Sequence, residues 1–479
     1  MNGKLPAWLK KDISIPGLRA RQKRPPPPWL RWMPRVFTWL LCLAVVWFAI
    51  WRFLLYRELE HRFAAIKSAG LPTSGQELNA WRLQVPEAEN GALILTQAFA
   101  LTRTFPDSRS NLVVAPELLK RTNQWSAETH EMVSEYVLTN TAAIAKAREA
   151  VLFQRFRFPA DFSYALETEL PHLGHLKNLA RIVALQSALA AEDGRADEWP
   201  DQTVLLLNLA STIDEEPTII SHLVRNAIVR TAVTVTERGI NRAVPGDEAC
   251  RKLQDAFARV GKTNLLARAL IGERAMDIPI FRLSWAEIQN FNQNGEGENQ
   301  PRKPQHYSGK PQFIFWLSGF FERDLNFYLQ TMDKGISLAD LPSPGNLAMT
   351  NALEDASQVA RTNMYLYSAM LLPAFSKVVI RDASTKAQME LAQLAMALQR
   401  FHNAHAQWPE DLQALTPQFL DFVPVDPFDG TPLSYRLLNK GCVIYSVDAD
   451  GHDDGGRESP DHKKSTDTNS YDITFTVER

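Results

Sequence analysis

Cysteine is scarce: there are three in 479 residues, with Cys42 inside an apolar run and Cys250 and Cys442 far apart. So sparse a set makes no disulfide framework. Free thiols are expected, and a Cys250–Cys442 bridge is the one pairing left open. No Cys-x-x-Cys and no Cys/His cluster with zinc spacing occurs, which argues against a structural zinc site. Net charge is lacking too. Lys and Arg total 52 against 54 for Asp and Glu, so the global balance points to no nucleic acid or other polyanion.

Catalytic signatures are equally thin. There is no Gly-x-Ser-x-Gly, no His-Glu-x-x-His and no carboxylate pair at a telling spacing, so nothing places a nucleophile, a base or a metal-bound water. Gly261-Lys262-Thr263 looks like the end of a phosphate-binding loop, but residue 256 is Ala and the preceding residues read as helix, so the glycine-rich cradle is missing. His172 and His175 share a helix face at i and i+3; without a third ligand nearby they read as polar contacts at a helix start. No enzyme and no small-molecule substrate are expected.

What is present begins with asymmetry of charge. Lys4, Lys10, Lys11, Arg19, Arg21, Lys23, Arg24, Arg31 and Arg35 crowd residues 1–35, where Asp12 is the only acid, whereas acids gather between Asp448 and Asp472. Pro25 to Pro28 is a stiff polyproline spacer in this basic tail. From Val36 to Tyr56 the chain then reads VFTWLLCLAVVWFAIWRFLLY, with Arg52 its one charge. That length matches a bilayer core of about 30 Å at about 1.5 Å of rise per residue, and Trp29, Trp32, Trp39, Trp47, Trp51 and Tyr56 suit the interfaces. The basic tail is too long for a signal peptide, and aromatic residues and Arg stand where a cleavage site would need small ones. The positive-inside bias keeps residues 1–35 in the cytoplasm, makes 36–56 a single transmembrane helix and puts the remainder outside.

Residues 57–382 carry helical periodicity. Leu173, Leu176, Leu179, Ala180, Ile182, Val183, Leu185, Ala188 and Leu189 form an apolar stripe that stops at Glu192-Asp193-Gly194. A second helix is expected from about Ala196 to Thr212, and a third after Asp214-Glu215-Glu216-Pro217. The stretch Ala190 to Glu198 resembles the turn of tetratricopeptide-like helical hairpins, but no period of about 34 residues recurs, so an irregular helical array is expected. Asn290 to Gly309 reads as a long polar loop, and Gln312 to Phe321 as the buried start of a helix running on to Met332.

The last segment, 383–479, is the most informative. Leu391, Leu394, Ala395, Leu398, Phe401 and Ala404 mark a helix that ends at Trp408-Pro409. A short helix at Glu410 to Leu415 precedes turn formers from Val423 to Pro432. Strands follow at Leu433 to Leu437 and Cys442 to Ser446, turned by Asn439-Lys440-Gly441. The loop Asp448-Ala449-Asp450-Gly451-His452-Asp453-Asp454-Gly455-Gly456 holds four carboxylates among glycines. Acids so close repel one another unless a cation intervenes, and calcium takes about six to eight such oxygens.

This order of elements resembles the globular domain of the major pseudopilin of type II secretion systems. The resemblance is carried by Ala406-Gln407-Trp408-Pro409, by Pro424-Val425-Asp426-Pro427-Phe428-Asp429-Gly430-Thr431-Pro432-Leu433-Ser434-Tyr435, by Ile444-Tyr445-Ser446-Val447-Asp448-Ala449-Asp450-Gly451 and by the closing Asp472-Ile473. It covers about 95 of the 479 residues. It implies a structural calcium ion held by the Val447 carbonyl and the Asp450 carboxylate. The family's further acidic ligand falls at Arg457, so Asp453, Asp454 or Asp467 would substitute for it, with Asp448 alongside.

A pseudopilin starts with a short leader and a helix continuous from membrane to head, whereas here the span lies far upstream. Pilin processing and filament incorporation are therefore not expected, and Tyr365 to Ile380 is read as a domain-packed counterpart of the pilin stem, with Pro373 a potential kink. The expected molecule is mainly α: a transmembrane helix, an irregular α-helical array and a small C-terminal α+β domain with a short antiparallel sheet. It is expected in the bacterial inner membrane, with protein partners in the envelope or secretion machinery. An envelope enzyme with an unrecognised site in the helical region and an atypical pseudopilin are the alternatives.

Overall fold

The computed structural model describes residues 28–104, 116–262, 264–282, 318–458 and 471–478. Two units are distinguished, Met1–Arg57 and Glu58–Arg479. The first is the apolar part of α1 (Pro28–Ser68), whose large side chains from Trp32 to Tyr56 are mostly exposed. Among the described residues it is the one helix long and apolar enough to cross a membrane.

The body is mainly α. Short helices α2 (Gly75–Trp81) and α3 (Gly91–Leu101) are capped by the Ser74 and Asn90 side chains, which satisfy amide groups that have no partner inside the first turn. Next come α4 (Ala127–Thr139), α5 (Thr141–Ala150), α6 (Pro171–Glu192), α7 (Glu198–Ser211), α8 (Ile219–Arg242), α9 (Asp247–Gly261) and α10 (Leu266–Asp277). The apolar stripe read in α6 is buried along its length. Its end at Glu192 follows from Gly194, whose φ of 72° takes the chain out of the helix. α8 begins where Pro217 and the Thr218 cap, which accepts from the Ser221 amide, place it.

After residues 283–317, which cover the expected polar loop and lie outside the described part, α11 (Phe320–Ala339), α12 (Ala348–Thr362) and α13 (Leu366–His405) follow. α13 runs through Pro373 and across residues 382 and 383 without interruption, and ends where Ala406 turns left-handed at φ 56°. Strands β1 (Ser434–Leu437), β2 (Cys442–Ser446) and β3 (Ile473–Val477) form an antiparallel sheet in that order. Ser434 pairs with Tyr445 and Leu437 with Cys442, while Cys442 pairs with Val477 and Ser446 with Ile473.

Two principal hydrophobic cores result, and α13 belongs to both. Met389 to Leu398 of α13 join α3 to α9 and the inward side chains Cys442, Ile444, Phe475 and Val477 of the sheet. Leu372, Phe375, Val378 and Val379, from the first half of α13, pack with α10, α11, α12 and with Leu59 and Ile66 of α1. Cys250 and Cys442 are buried, Cys42 is exposed, and none of the three is in a disulfide.

Polar contacts fix the sheet to the helices. Asn241 of α8 donates to the Thr476 carbonyl at 2.8 Å and accepts from the Glu478 amide at 2.7 Å, while Glu237 accepts from the Thr476 amide at 2.8 Å. Beside them a single guanidinium, Arg121, meets three acids: Glu237 at 3.6 Å, Glu458 at 2.8 Å and Glu478 at 2.6 Å.

Candidate metal centre

The acidic loop follows β2 directly, and its start is held by a buried carboxylate. Asp426, in the turn-rich segment before β1, is 2% exposed and accepts from the Phe428 amide at 2.9 Å, the Ser446 hydroxyl at 3.0 Å and the Val447 amide at 2.9 Å. The Ser446 oxygen in turn accepts from the Asp448 amide at 3.4 Å. The proline-flanked segment is thereby tied to the end of β2, and Val447 and Asp448 are set as the loop's first residues.

Asp448 takes a left-handed φ of 57°, uncommon for a non-glycine residue, and its carboxylate accepts from the Ser384 hydroxyl of α13 at 3.4 Å. Burial pushes its carboxyl above the usual range and the charge of Asp450 adds to this. Asp450 and Asp453 each accept from the amide two residues on, those of His452 at 3.0 Å and Gly455 at 2.8 Å. The far side of the loop hangs on Asp472, whose carboxylate accepts from the amides of Asp454 at 3.3 Å and Gly456 at 2.7 Å. Burial raises the Asp472 carboxyl, and the charges of Asp453 and Asp454 raise it further. Gly456 has a φ of 75°, and a Cβ there would stand 2.9 Å from the Tyr445 ring, so the loop lies directly on β2.

The loop thus carries Asp448 and Asp450 at its start and Asp453 and Asp454 beside Asp472 on its far side. Asp454 Oδ2 is buried with no hydrogen-bond partner. A buried carboxylate oxygen without a donor is costly, and a hard cation would satisfy it. Among the described residues no three His, Cys, Asp or Glu side chains are grouped as a metal-binding cluster. Asp467 lies outside the described residues. Arg457, at the position where the pseudopilin pattern has an acid, stacks over the Tyr471 ring at 5.2 Å, and its carbonyl accepts from the Asp472 amide at 3.2 Å. Asp426, Ser384 and Asp472 are the residues that sequence reasoning missed as supports. Asp426 lies between two flanking prolines and Asp472 opens the closing strand, but neither position says which amides the side chain would meet, and nothing in the sequence marks Ser384.

A polar cleft of about 310 Å³ is lined by His222, Asn226, Lys262, Asp382 and Lys386, among others. Within it His222 Nε2 is 2.7 Å from Asp382 Oδ1, which also accepts from Asn226 at 3.1 Å. The other ring nitrogen, Nδ1, is buried without a hydrogen-bond partner. His172 is similarly enclosed, 2.7 Å from Glu216 and stacked on Phe158 at 4.4 Å, and His175 stacks on Phe99. Both dyads cross-link elements of the helical array. Lys262 lies just beyond α9 without a glycine cradle, and Thr263 is outside the described residues.

Comparison with protein families, with curated proteins and with solved structures finds no match.

Proposed function

We propose that this chain is a membrane-anchored, non-enzymatic scaffold whose helical body presents a calcium-stabilised C-terminal loop for contact with other proteins, in secretion or envelope assembly. The observation that carries it is the buried, donorless Asp454 Oδ2 in a loop where like charges and burial already raise Asp448 and Asp472. Calcium would be held by the Val447 carbonyl and the Asp450 carboxylate, with Asp453 or Asp454 as the further acid and Asp448 alongside. Its charge would relieve the repulsion among them.

Support for the anchor comes from α1 and the basic residues before it, which favour a cytoplasmic N-terminus and a body outside the bacterial inner membrane. The non-enzymatic reading takes His222, 2.7 Å from Asp382 of α13, and His172, 2.7 Å from Glu216 in the turn before α8, as contacts between elements of the helical array. The test is crosslinking in intact cells followed by purification of the full chain in detergent with calcium present. Recovery of envelope or secretion components, lost when calcium is chelated, is the expected result; recovery unaffected by chelation would contradict the role given to the loop.

A further inference from the structure

The polar cleft between α8, α13 and the link from α11 to α12 is walled by side chains that rarely lie so deep. His222, Arg225, Asn226 and Asn346 line it and are only 5%, 3%, 4% and 7% exposed. Two of the four keep a buried polar atom without a hydrogen-bond partner, Nδ1 of His222 and Oδ1 of Asn346. Such atoms are costly to leave unsatisfied, and the cavity beside them admits a molecule that would satisfy them.

The charges on the lining do not cancel. Arg225 is matched by Asp214 at 2.7 Å, and its guanidinium also donates to the Val260 carbonyl at 2.9 Å. Asp382 is taken up by His222 and Asn226; burial works to raise its carboxyl, but those bonds hold it below the usual carboxylate range. Lys262, at the end of α9, and Lys386 of α13 then face Asp340 alone, two cations against one anion. Lys386 donates to the neutral Ser343 hydroxyl at 3.2 Å, and Glu390, one turn further along α13, lines the adjoining groove.

We propose that this cleft binds a small hydroxylated anion, a sugar phosphate or a sugar acid. Its anionic group would lie between Lys262 and Lys386 and its hydroxyls on His222 Nδ1 and Asn346 Oδ1. A hydroxyl both donates and accepts, so it satisfies an amide oxygen and an imidazole nitrogen in either protonation state, which an ammonium group does not. The volume of about 310 Å³ stands at the lower end of small-molecule sites, about 300–1,000 Å³, and suits a monomeric ligand. The site is independent of the anchor and calcium readings, since every residue it uses belongs to the helical body.

The test is isothermal titration of glucose 6-phosphate, gluconate, inorganic phosphate and glucose into the full chain, in non-ionic detergent and without added calcium, which the anions would chelate. The expected result is saturable binding of glucose 6-phosphate or gluconate, about tenfold or more tighter than that of phosphate or glucose. Binding of the first alone assigns a phosphate to the lysines, and of the second alone a carboxylate. The Lys262→Gln/Lys386→Gln double variant and, independently, Asn346→Leu should each weaken it by about tenfold or more. Lys262 is exposed and Lys386 partly so, so the double variant should melt with the native protein, and its melting curve separates a lost contact from a lost fold. Three results overturn the proposal: no binding of either hydroxylated anion, phosphate bound as tightly as glucose 6-phosphate, or unchanged binding in the folded double variant.

Discussion

Removing the Asp426 carboxylate should loosen the acidic loop selectively. The side chain is buried and receives two amides and a hydroxyl, of Phe428, Val447 and Ser446. A hydrogen bond to a charged acceptor contributes about 1.5–3 kcal/mol, and a donor left buried without a partner costs about 1–3 kcal/mol. Three bonds to one carboxylate do not add in full. Asp426→Ala should therefore raise the free energy of the native loop by about 4 kcal/mol, nearly a thousandfold in the opening equilibrium. Asp426→Asn keeps one acceptor oxygen and should cost about 1–2 kcal/mol. Hydrogen exchange resolved by peptide is the suitable assay, since it reads local opening separately from global unfolding. Segments 423–433 and 442–458 should lose protection in the order Ala, then Asn, then native, while α6 and α7 exchange as before. Equal exchange of 442–458 in Asp426→Ala and the native protein would refute the idea that this carboxylate holds the loop.

Burial lifts the Glu237 carboxyl from 4.5 to about 7, with the charges of Glu458 and Glu478 adding and Arg121 opposing. The folded protein thus binds this proton more tightly than the unfolded chain. Its contribution is fully present below about 4.5 and is lost as pH rises through 7. Burial lifts Glu273 and Glu390 to about 7 as well, with the same sign. The denaturation midpoint should accordingly fall between pH 5 and pH 8, by less in Glu237→Gln; a midpoint that rises over this range would contradict the assignment. Gly272→Ala should destabilise by more than about 2 kcal/mol in chemical denaturation, because its Cβ would stand 1.6 Å from the Pro217 carbonyl. Asp382→Ala should lower the melting temperature by leaving His222 and Asn226 buried without their shared acceptor; unchanged stability would show the dyad to be no cross-link.

Much of the helical order was legible in the sequence because it rests on local signals. The α6 stripe, its stop at Gly194, the start of α8 after Pro217 and the β1–β2 hairpin all follow from periodicity, caps and turn residues. Pro373 is a different case. It lies beyond the first turn of α13, where proline removes one main-chain hydrogen bond, and the helix continues through it with buried side chains on both sides. Long-range pairing was not legible at all. His172 with Glu216, His222 with Asp382, Arg121 with Glu478 and Asp426 with Val447 join residues that no spacing rule connects, and each depends on how elements pack. The acidic loop was visible as a composition, while its supports Ser384, Asp426 and Asp472 were visible only once the chain was folded.

Calcium binding by the loop from Val447 to Gly456 underlies the proposed role of the C-terminal segment. Isothermal titration of calcium into the detergent-solubilised full chain measures this directly, alongside the Asp450→Asn/Asp454→Asn double variant. One saturable site in the native protein, competed poorly by magnesium and lost in the double variant, is the predicted result; no binding heat, or equal binding by both proteins, would contradict it.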